Sequence, residues 1–260
     1  MIERNNKLYL TLEKAIKVLN FLVENESPQG IREIARQLNM NVSTVNRILF
    51  TLNKYKYVRK VENIKKYSLG IRLFEIGNVF FKRLNIKDNV FPILEKLMLD
   101  TQETVSLTVY SKGERVYLII VRSSQPIQTV AFEGKRELLH KSAGGKAIMA
   151  YLSEEEIDWI IKEKGLPKYT DKTITDAKKL KGELKKIRSC GFAIDNGEGE
   201  EEIRCVAAPV FDYKKKVVGA ISVSAPAYRF NSEKLNKFKE LVCNAAKEVY
   251  SSLGYLYIDS

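Results

Sequence analysis

The chain has little of the chemistry that metals and nucleophiles need. Among its 260 residues there is one histidine, His140, and there are three cysteines, Cys190, Cys205 and Cys243. The cysteines are odd in number, far apart and form no metal-spaced pair, which argues against a disulfide framework and suits a reducing compartment. No run of eighteen apolar residues and no N-terminal signal pattern occurs. The expectation is therefore a cytoplasmic chain that neither crosses a membrane nor is secreted. The nucleophile motifs G-x-S-x-G and S-x-x-K are missing. Gly144-Gly145-Lys146 is no phosphate loop, because the spacing is wrong and Ala147 stands where Ser or Thr should coordinate magnesium. No cofactor and no resident metal are expected. Internal repeats and low-complexity linkers are absent as well.

What is present begins at residues 30–54, GIREIARQLNMNVSTVNRILFTLNK. Ile31, Ile34, Ala35 and Leu38 recur at spacings of three and four and predict the buried stripe of a short helix. Asn39-Met40-Asn41 breaks that pattern with turn-prone residues. Val45, Ile48, Leu49 and Leu52 then form the stripe of a second helix. Ser43, Arg47, Phe50 and Lys54 project away from it, with Asn46 and Thr51 on its flanks. Short hydroxyl and amide groups beside an arginine at a helix N-terminus suit the reading of base edges in the major groove. The pattern predicts a helix-turn-helix that binds DNA. A helical hairpin used only for packing is the bland alternative.

The surroundings support the first reading. Leu12, Ala15, Ile16, Leu19, Leu22 and Val23 recur at helical spacing behind Thr11, the expected N-cap, and supply a third helix. Downstream, residues 57–61 and 66–69 are short β-like runs around Glu62-Asn63-Ile64-Lys65, a polar hairpin tip. A basic hairpin after a recognition helix reads as a wing whose Lys and Arg reach phosphates. The expected DNA-contacting set is Ser43, Thr44, Asn46, Arg47, Lys54, Arg59, Lys65 and Lys66. Charge agrees: residues 1–70 hold 13 Lys/Arg against 6 Asp/Glu, or +7, whereas the other 190 hold 31 against 26, or +5.

At this length the chain can support two cores, and a boundary is expected near residue 71. Residues 71–84 read as a helix with Leu73, Phe74, Ile76, Val79, Phe80 and Phe81 round much of its circumference. A dimer contact and packing on either domain are both open uses for that surface. A further helix follows from about Lys87 to Thr101. The period then becomes alternating over 104–110 and 115–122, joined by the turn Ser111-Lys112-Gly113-Glu114, with a third strand expected over 126–132. Helices are expected over 142–152, 154–163 and 175–188, the last opened by Asp176 and ended by Gly191. Strands follow at 192–194, 204–211 and 217–223, and a last helix at 232–253. The expectation is a two-domain α+β chain: a winged helix over 1–70, a linker helix over 71–86, and residues 87–260 built on an antiparallel sheet flanked by helices.

Many short segments in fixed order carry a resemblance. TLEKAIKVLNFL, IREIARQLNMNVSTVNRILFTL, YSLGIRLFEIG, ETVSLTVY, LHKSAGGKAIMAYL, KTITD, IRSCGFAIDN, IRCVAAPVFD and AISVSAP together resemble the IclR family of transcriptional regulators along nearly the whole chain. The resemblance implies a homo-oligomer, dimer or tetramer, that grips operator DNA. It also implies a GAF-like C-terminal domain that binds a small-molecule effector, commonly a carboxylic or aromatic acid. By similarity the pocket floor would be Ala143, Gly144, Asp195, Ile203, Cys205, Ser222 and Ser224. A helix opening with Ser142-Ala143-Gly144-Gly145 lets ligand atoms approach its free N–H groups, or is merely an ordinary cap. Ser222 and Ser224 lie two apart on a strand and share a face. Asp195 would accept from a ligand hydroxyl, or cap its own turn.

Some residues depart from the family pattern. Lys141 replaces a small residue and adds a cation, Glu200-Glu201-Glu202 adds an acidic loop, and Phe50 replaces a small residue on the recognition helix. Phe50 is expected to pack on the wing, the other use being contact with a thymine methyl. A rival function is a small-molecule hydrolase or metal-dependent sensor using His140, Cys205 and Asp195, although no local spacing signature supports it. DNA architecture without sensing is the third reading.

Overall fold

Val18 and Leu22 on α1 (Leu10–Glu24), Ile34 and Ala35 on α2 (Ile31–Gln37), and Val45, Ile48 and Leu49 on α3 (Val42–Lys54) close one small core. Val58 of β1 (Val58–Val61) and Tyr67 of β2 (Lys66–Leu69) complete it. This is a computed structural model, and it describes residues 8–25, 27–83, 89–129, 131–212 and 214–252, with backbone only at 80–83 and 251–252. The chain divides into two compact units, one ending at Arg83 and the other beginning at Leu84.

In the first unit the α2–α3 turn passes through Asn39 at φ +50°, a conformation an Asn side chain tolerates. The wing is an antiparallel pair with Arg59 opposite Ser68 and Lys60 opposite Tyr67. Gln29 exchanges both backbone hydrogen bonds with Tyr67 at 2.8 Å, which ties the α1–α2 segment to the base of the wing. Gly70 is required where the wing ends: a Cβ there would fall 2.1 Å from the Lys56 carbonyl oxygen. α4 (Ile71–Arg83) follows, with Ile71, Phe74, Ile76 and Val79 exposed. The side chains of Phe80 and Phe81, and residues 84–88 of the expected linker, lie outside the described residues.

α1 differs from expectation in two ways. It starts at Leu10, capped by Tyr9 without a side-chain bond, so Thr11 lies inside the helix. Its buried stripe is Val18 and Leu22 with Ala15 and Leu19 beside them, whereas Leu12, Ile16 and Val23 are exposed. At 3.6 residues per turn those three fall roughly 140° round the helix from Val18. They form a second stripe that so small a core does not reach.

The second unit is a six-stranded, wholly antiparallel sheet in the order β5-β4-β3-β8-β7-β6. Its strands are β3 (Thr104–Ser111), β4 (Glu114–Val121), β5 (Arg136–Leu138), β6 (Ala193–Asp195), β7 (Ile203–Phe211) and β8 (Val217–Pro226). α5 (Phe91–Thr101) and α9 (Ser232–Ser252) cover one face, burying Leu94, Leu97, Phe238 and Val242 against Val105, Leu107, Ile221 and Val223. α6 (Ala143–Met149), α7 (Glu154–Lys164) and α8 (Ala177–Cys190) cover the other, with Ala147, Ile148, Ile157 and Leu180 packed toward Ala207 and Ala220. Strand alternation puts Ser222 and Ser224 on the same side as Ala220. α8 is bounded as its sequence reads: Asp176 Oδ1 accepts from the Lys179 amide at 2.7 Å, and Gly191 ends it at φ +81°.

The third strand is displaced from expectation. The described residues of 126–132 are bends and coil, and β5 lies at Arg136–Leu138. Two guanidinium groups, rather than a ladder, satisfy the earlier segment: Arg229 donates to the Ile127 carbonyl and Arg122 to the Ala131 carbonyl, each at 2.7 Å. Gly134, at φ +87°, then turns the chain so that Lys135 accepts from the Tyr117 amide and β5 joins β4. Among the described residues no helix is long and apolar enough to cross a membrane.

Candidate functional site

Two surfaces carry the residues singled out above, one on each unit. On α3, Val45, Ile48 and Leu49 face the core while Ser43, Asn46, Arg47 and Lys54 are exposed and Thr44 is half-buried. On the wing Arg59 and Lys65 are exposed, Lys66 is half-buried, and Lys65 sits at φ +52° on the tip. Arg59 Nε donates to Ser68 Oγ at 2.9 Å, which holds the guanidinium along the outside of the hairpin. Asn53 Oδ1 accepts from the Lys60 amide at 3.2 Å and joins the wing to the end of α3. That polar link holds the wing in place of Phe50, which is 70 % exposed and does not pack there as expected.

The second unit holds a cleft of about 610 Å³, its open mouth included. Arg115 and Tyr117, two apart on β4, point into it together. Arg115 is 5 % exposed; its Nη2 donates to Tyr117 OH at 2.6 Å and to Glu137 Oε2 at 2.5 Å, while its Nε has no partner. Gly144 makes room for this guanidinium, since a Cβ there would lie 2.7 Å from Nη1. Glu137 Oε1 also meets Lys135 Nζ at 2.9 Å and Lys141 Nζ at 3.8 Å. Burial alone would raise the Glu137 carboxyl, but Arg115, Lys141 and Lys135 reverse that and hold it at about 2. Burial pushes the Tyr117 phenol up, so it stays a donor.

Of the expected pocket residues, Asp195, Ile203, Cys205 and Ser224 line the cleft. Asp195 is buried, and its Oδ1 accepts from the Gly197 and Glu198 amides at 2.9 and 2.6 Å. It therefore caps its turn and faces the cavity at once. Burial raises its carboxyl above the ordinary value. Ser222 stands one layer behind the lining, with its Oγ 2.9 Å from Ser106 Oγ, and Ser106 takes the lining position. Ala143 and Gly144 are fully buried and off the lining. The first turn of α6 is covered by Arg115, and Ser142 Oγ takes the Gly145 amide at 3.2 Å. Sequence reasoning missed Arg115, Tyr117, Glu137 and Lys135. The available signal was an Arg and a Tyr at alternate positions of a β-rich run, side by side on one strand face.

The hydrolase and metal reading finds no assembled site. His140 is buried, its Nε2 lies 3.0 Å from the Pro167 carbonyl oxygen, and it does not line the cleft. Burial lowers its imidazole. Burial and the nearby Asp195 push the Cys205 thiol up to about 12, and it donates to Ser224 Oγ at 3.0 Å. Such a thiol is neither a ready nucleophile nor a ready metal ligand. Among the described residues no group of three His, Cys, Asp or Glu side chains gathers to hold a metal.

Comparison with known proteins accounts for both units. Residues 11–62 match the IclR helix-turn-helix domain, and residues 79–251 match the bacterial transcriptional regulator IclR C-terminal domain. The chain is 32 % identical over 246 residues to the acetate operon repressor of Salmonella typhimurium, covering 94 % of this chain and 90 % of that protein. It is 30 % identical over 247 residues to the HTH-type transcriptional regulator KdgR of Escherichia coli, covering 94 % of each. The crystal structure of the Thermotoga maritima IclR superposes with a TM-score of 0.74 at 35 % identity, over 95 % of this chain and 100 % of that one. An IclR homologue from Microbacterium hydrocarbonoxydans, complexed with 4-hydroxybenzoate, shares the fold at a TM-score of 0.82 and 21 % identity, over 94 % and 98 %. The chain belongs to the IclR family and is a DNA-binding transcriptional regulator.

Proposed function

We propose that this regulator reads its operator with the outward side of α3 and takes a small carboxylic acid into the cleft of its C-terminal unit. Ser43, Thr44, Asn46 and Arg47 are assigned to base edges, and Lys54, Arg59, Lys65 and Lys66 to phosphates. The observation that carries the reading is the division of α3, with a fully buried stripe of Val45 and Leu49 and exposed Ser43, Asn46 and Arg47. In the cleft, Arg115 with Ser224 and Asp195 supplies a buried cation, a hydroxyl and an acceptor. The division of labour follows: a DNA-binding domain over 1–70, a linker helix over 71–86, and an effector domain over 87–260. Effector binding alters the spacing of the two winged helices in the oligomer and so shifts operator affinity. A coupling of roughly 1–3 kcal/mol changes affinity about five- to 150-fold. The buried Cys205 thiol and the occupied His140 ring support a non-catalytic protein, and an operator-binding role puts its work in the cytoplasm.

The test is a titration of its own promoter DNA and of a scrambled duplex at moderate ionic strength, with and without small carboxylic acids. Tighter binding to the promoter, relieved or enhanced by an acid, supports the proposal. Equal binding to both duplexes overturns it.

A further inference from the structure

We infer that Phe50 reads a base, with its ring seated against the C5-methyl group of a thymine in the major groove. The inference rests on the reading of α3 as the operator-contacting helix. Val45, Ile48 and Leu49 face the core. At 3.6 residues per turn, Phe50 falls about 150° round the helix from the middle of that stripe, and Ser43, Arg47 and Lys54 lie within roughly 60° of Phe50. All four side chains are exposed. The ring therefore stands near the centre of the outward face, one turn from Arg47 on one side and one turn from Lys54 on the other. Its neighbours do not cover it. Thr51 Oγ1 donates to the Arg47 carbonyl at 3.0 Å, and the wing is anchored through Asn53.

A lone exposed ring needs no explanation on a surface that stays in water. This one sits on the face that meets the duplex, so docking takes it out of water together with whatever lies opposite. Phosphate oxygens and the polar edges of guanine, cytosine and adenine would lose hydration there and gain no hydrogen bond. Thymine presents the one apolar group in the major groove, its methyl. Arg47 and Lys54, flanking the ring, suit a polyanion rather than the apolar surface of a protein partner. With α3 lying along the groove, the rise of about 4.5 Å from Arg47 to Phe50 spans one to two base-pair steps of about 3.4 Å. The thymine is thus placed within about two base pairs of the base that Arg47 reads.

The experiment uses the full chain and a duplex from its own promoter, in which each thymine of the protected region is replaced singly by deoxyuridine. The exchange removes the methyl and keeps the pairing. Wild type is expected to lose affinity about fourfold, the contribution of one buried methyl, at a thymine close to the base whose identity matters only while Arg47 is present. Phe50→Ala is expected to bind the unmodified duplex severalfold more weakly, to keep its thermal midpoint and oligomeric state, and to be indifferent to the uridine exchange. Phe50→Leu, which retains an apolar tip, is expected to keep part of the sensitivity. If no uridine exchange weakens wild type more than Phe50→Ala, the inference is overturned and α3 keeps its reading role. It is overturned equally if Phe50→Ala changes the oligomeric state and leaves promoter affinity unaltered, which would make the ring a contact between protein chains. If wild type holds promoter and scrambled duplexes alike, the operator reading itself fails and the inference falls with it.

Discussion

Arg115 and Glu137 are register partners on neighbouring strands, and their side chains meet at 2.5 Å on the edge of the sheet. The contact joins the last-added strand to a cation that the interior would not hold alone, because removing one partner of a buried pair strands the other. Three of the following predictions concern the neighbourhood of this pair.

Glu137→Gln should destabilise the protein by roughly 3 kcal/mol at neutral pH, from a carboxyl held at about 2 against an ordinary value of 4.5. The folded value is below the unfolded one. The stabilisation is therefore complete above about pH 4.5 and is lost as pH falls toward 2. Thermal midpoints of wild type and variant should differ fully at pH 6 and draw together below 4.5. A gap that stays constant over that range would show that Glu137 acts by packing alone.

The two adjacent glycines of α6 should behave differently. A Cβ on Gly145 would lie 2.1 Å from the Leu139 carbonyl oxygen, a backbone atom, so Gly145→Ala should cost at least the ~3 kcal/mol of severe overpacking. On Gly144 the obstacle at 2.7 Å is the end of the Arg115 side chain, which can shift. Gly144→Ala should fold with a smaller loss, about 1 kcal/mol, and weaken the effector response. Denaturant midpoints and effector titrations distinguish them; equal losses of stability would contradict the assignment.

Ser222 and Ser224 share a face but not a role. Ser224→Ala should weaken effector binding with little effect on stability. Ser222→Ala removes the partner of Ser106 and should cost about 1 kcal/mol of stability, while most of the response survives. A Ser222→Ala variant of full stability that no longer responds would place Ser222 in the site after all.

On the DNA side, Arg47→Ala should cost about 1–3 kcal/mol on the cognate operator and relax specificity. Lys65→Ala or Lys66→Ala should weaken cognate and random DNA about equally and flatten the salt dependence by about one ion each. Anisotropy titrations at several salt concentrations separate the two. Equal losses for Arg47→Ala on both duplexes would remove it from base reading.

What could be read from the chain was what neighbours in sequence decide. The stripes of α2 and α3, the wing tip, the Asp176 cap and the Gly191 stop all depend on residues within a turn or two. Val18 was missed because α1 carries two apolar stripes, and only docking on α3 and the wing selects one. β5 was missed because three residues make no period, and its place is set by Gly134 and by pairing with β4 more than twenty residues earlier. The cleft suffered most for the same reason. Asp195, Cys205 and Ser224 sit in recognisable segments, but Arg115 and Glu137 become neighbours only when the edge strand closes on the sheet.

That edge strand has only three residues and one sheet neighbour, β4. The hydrophobic clusters on both faces are built without it. On the proposed reading of the cleft, part of its chemical selectivity sits on this margin, so a handful of exchanges between Lys135 and Lys141 should retarget what the protein senses and leave the framework of the domain intact.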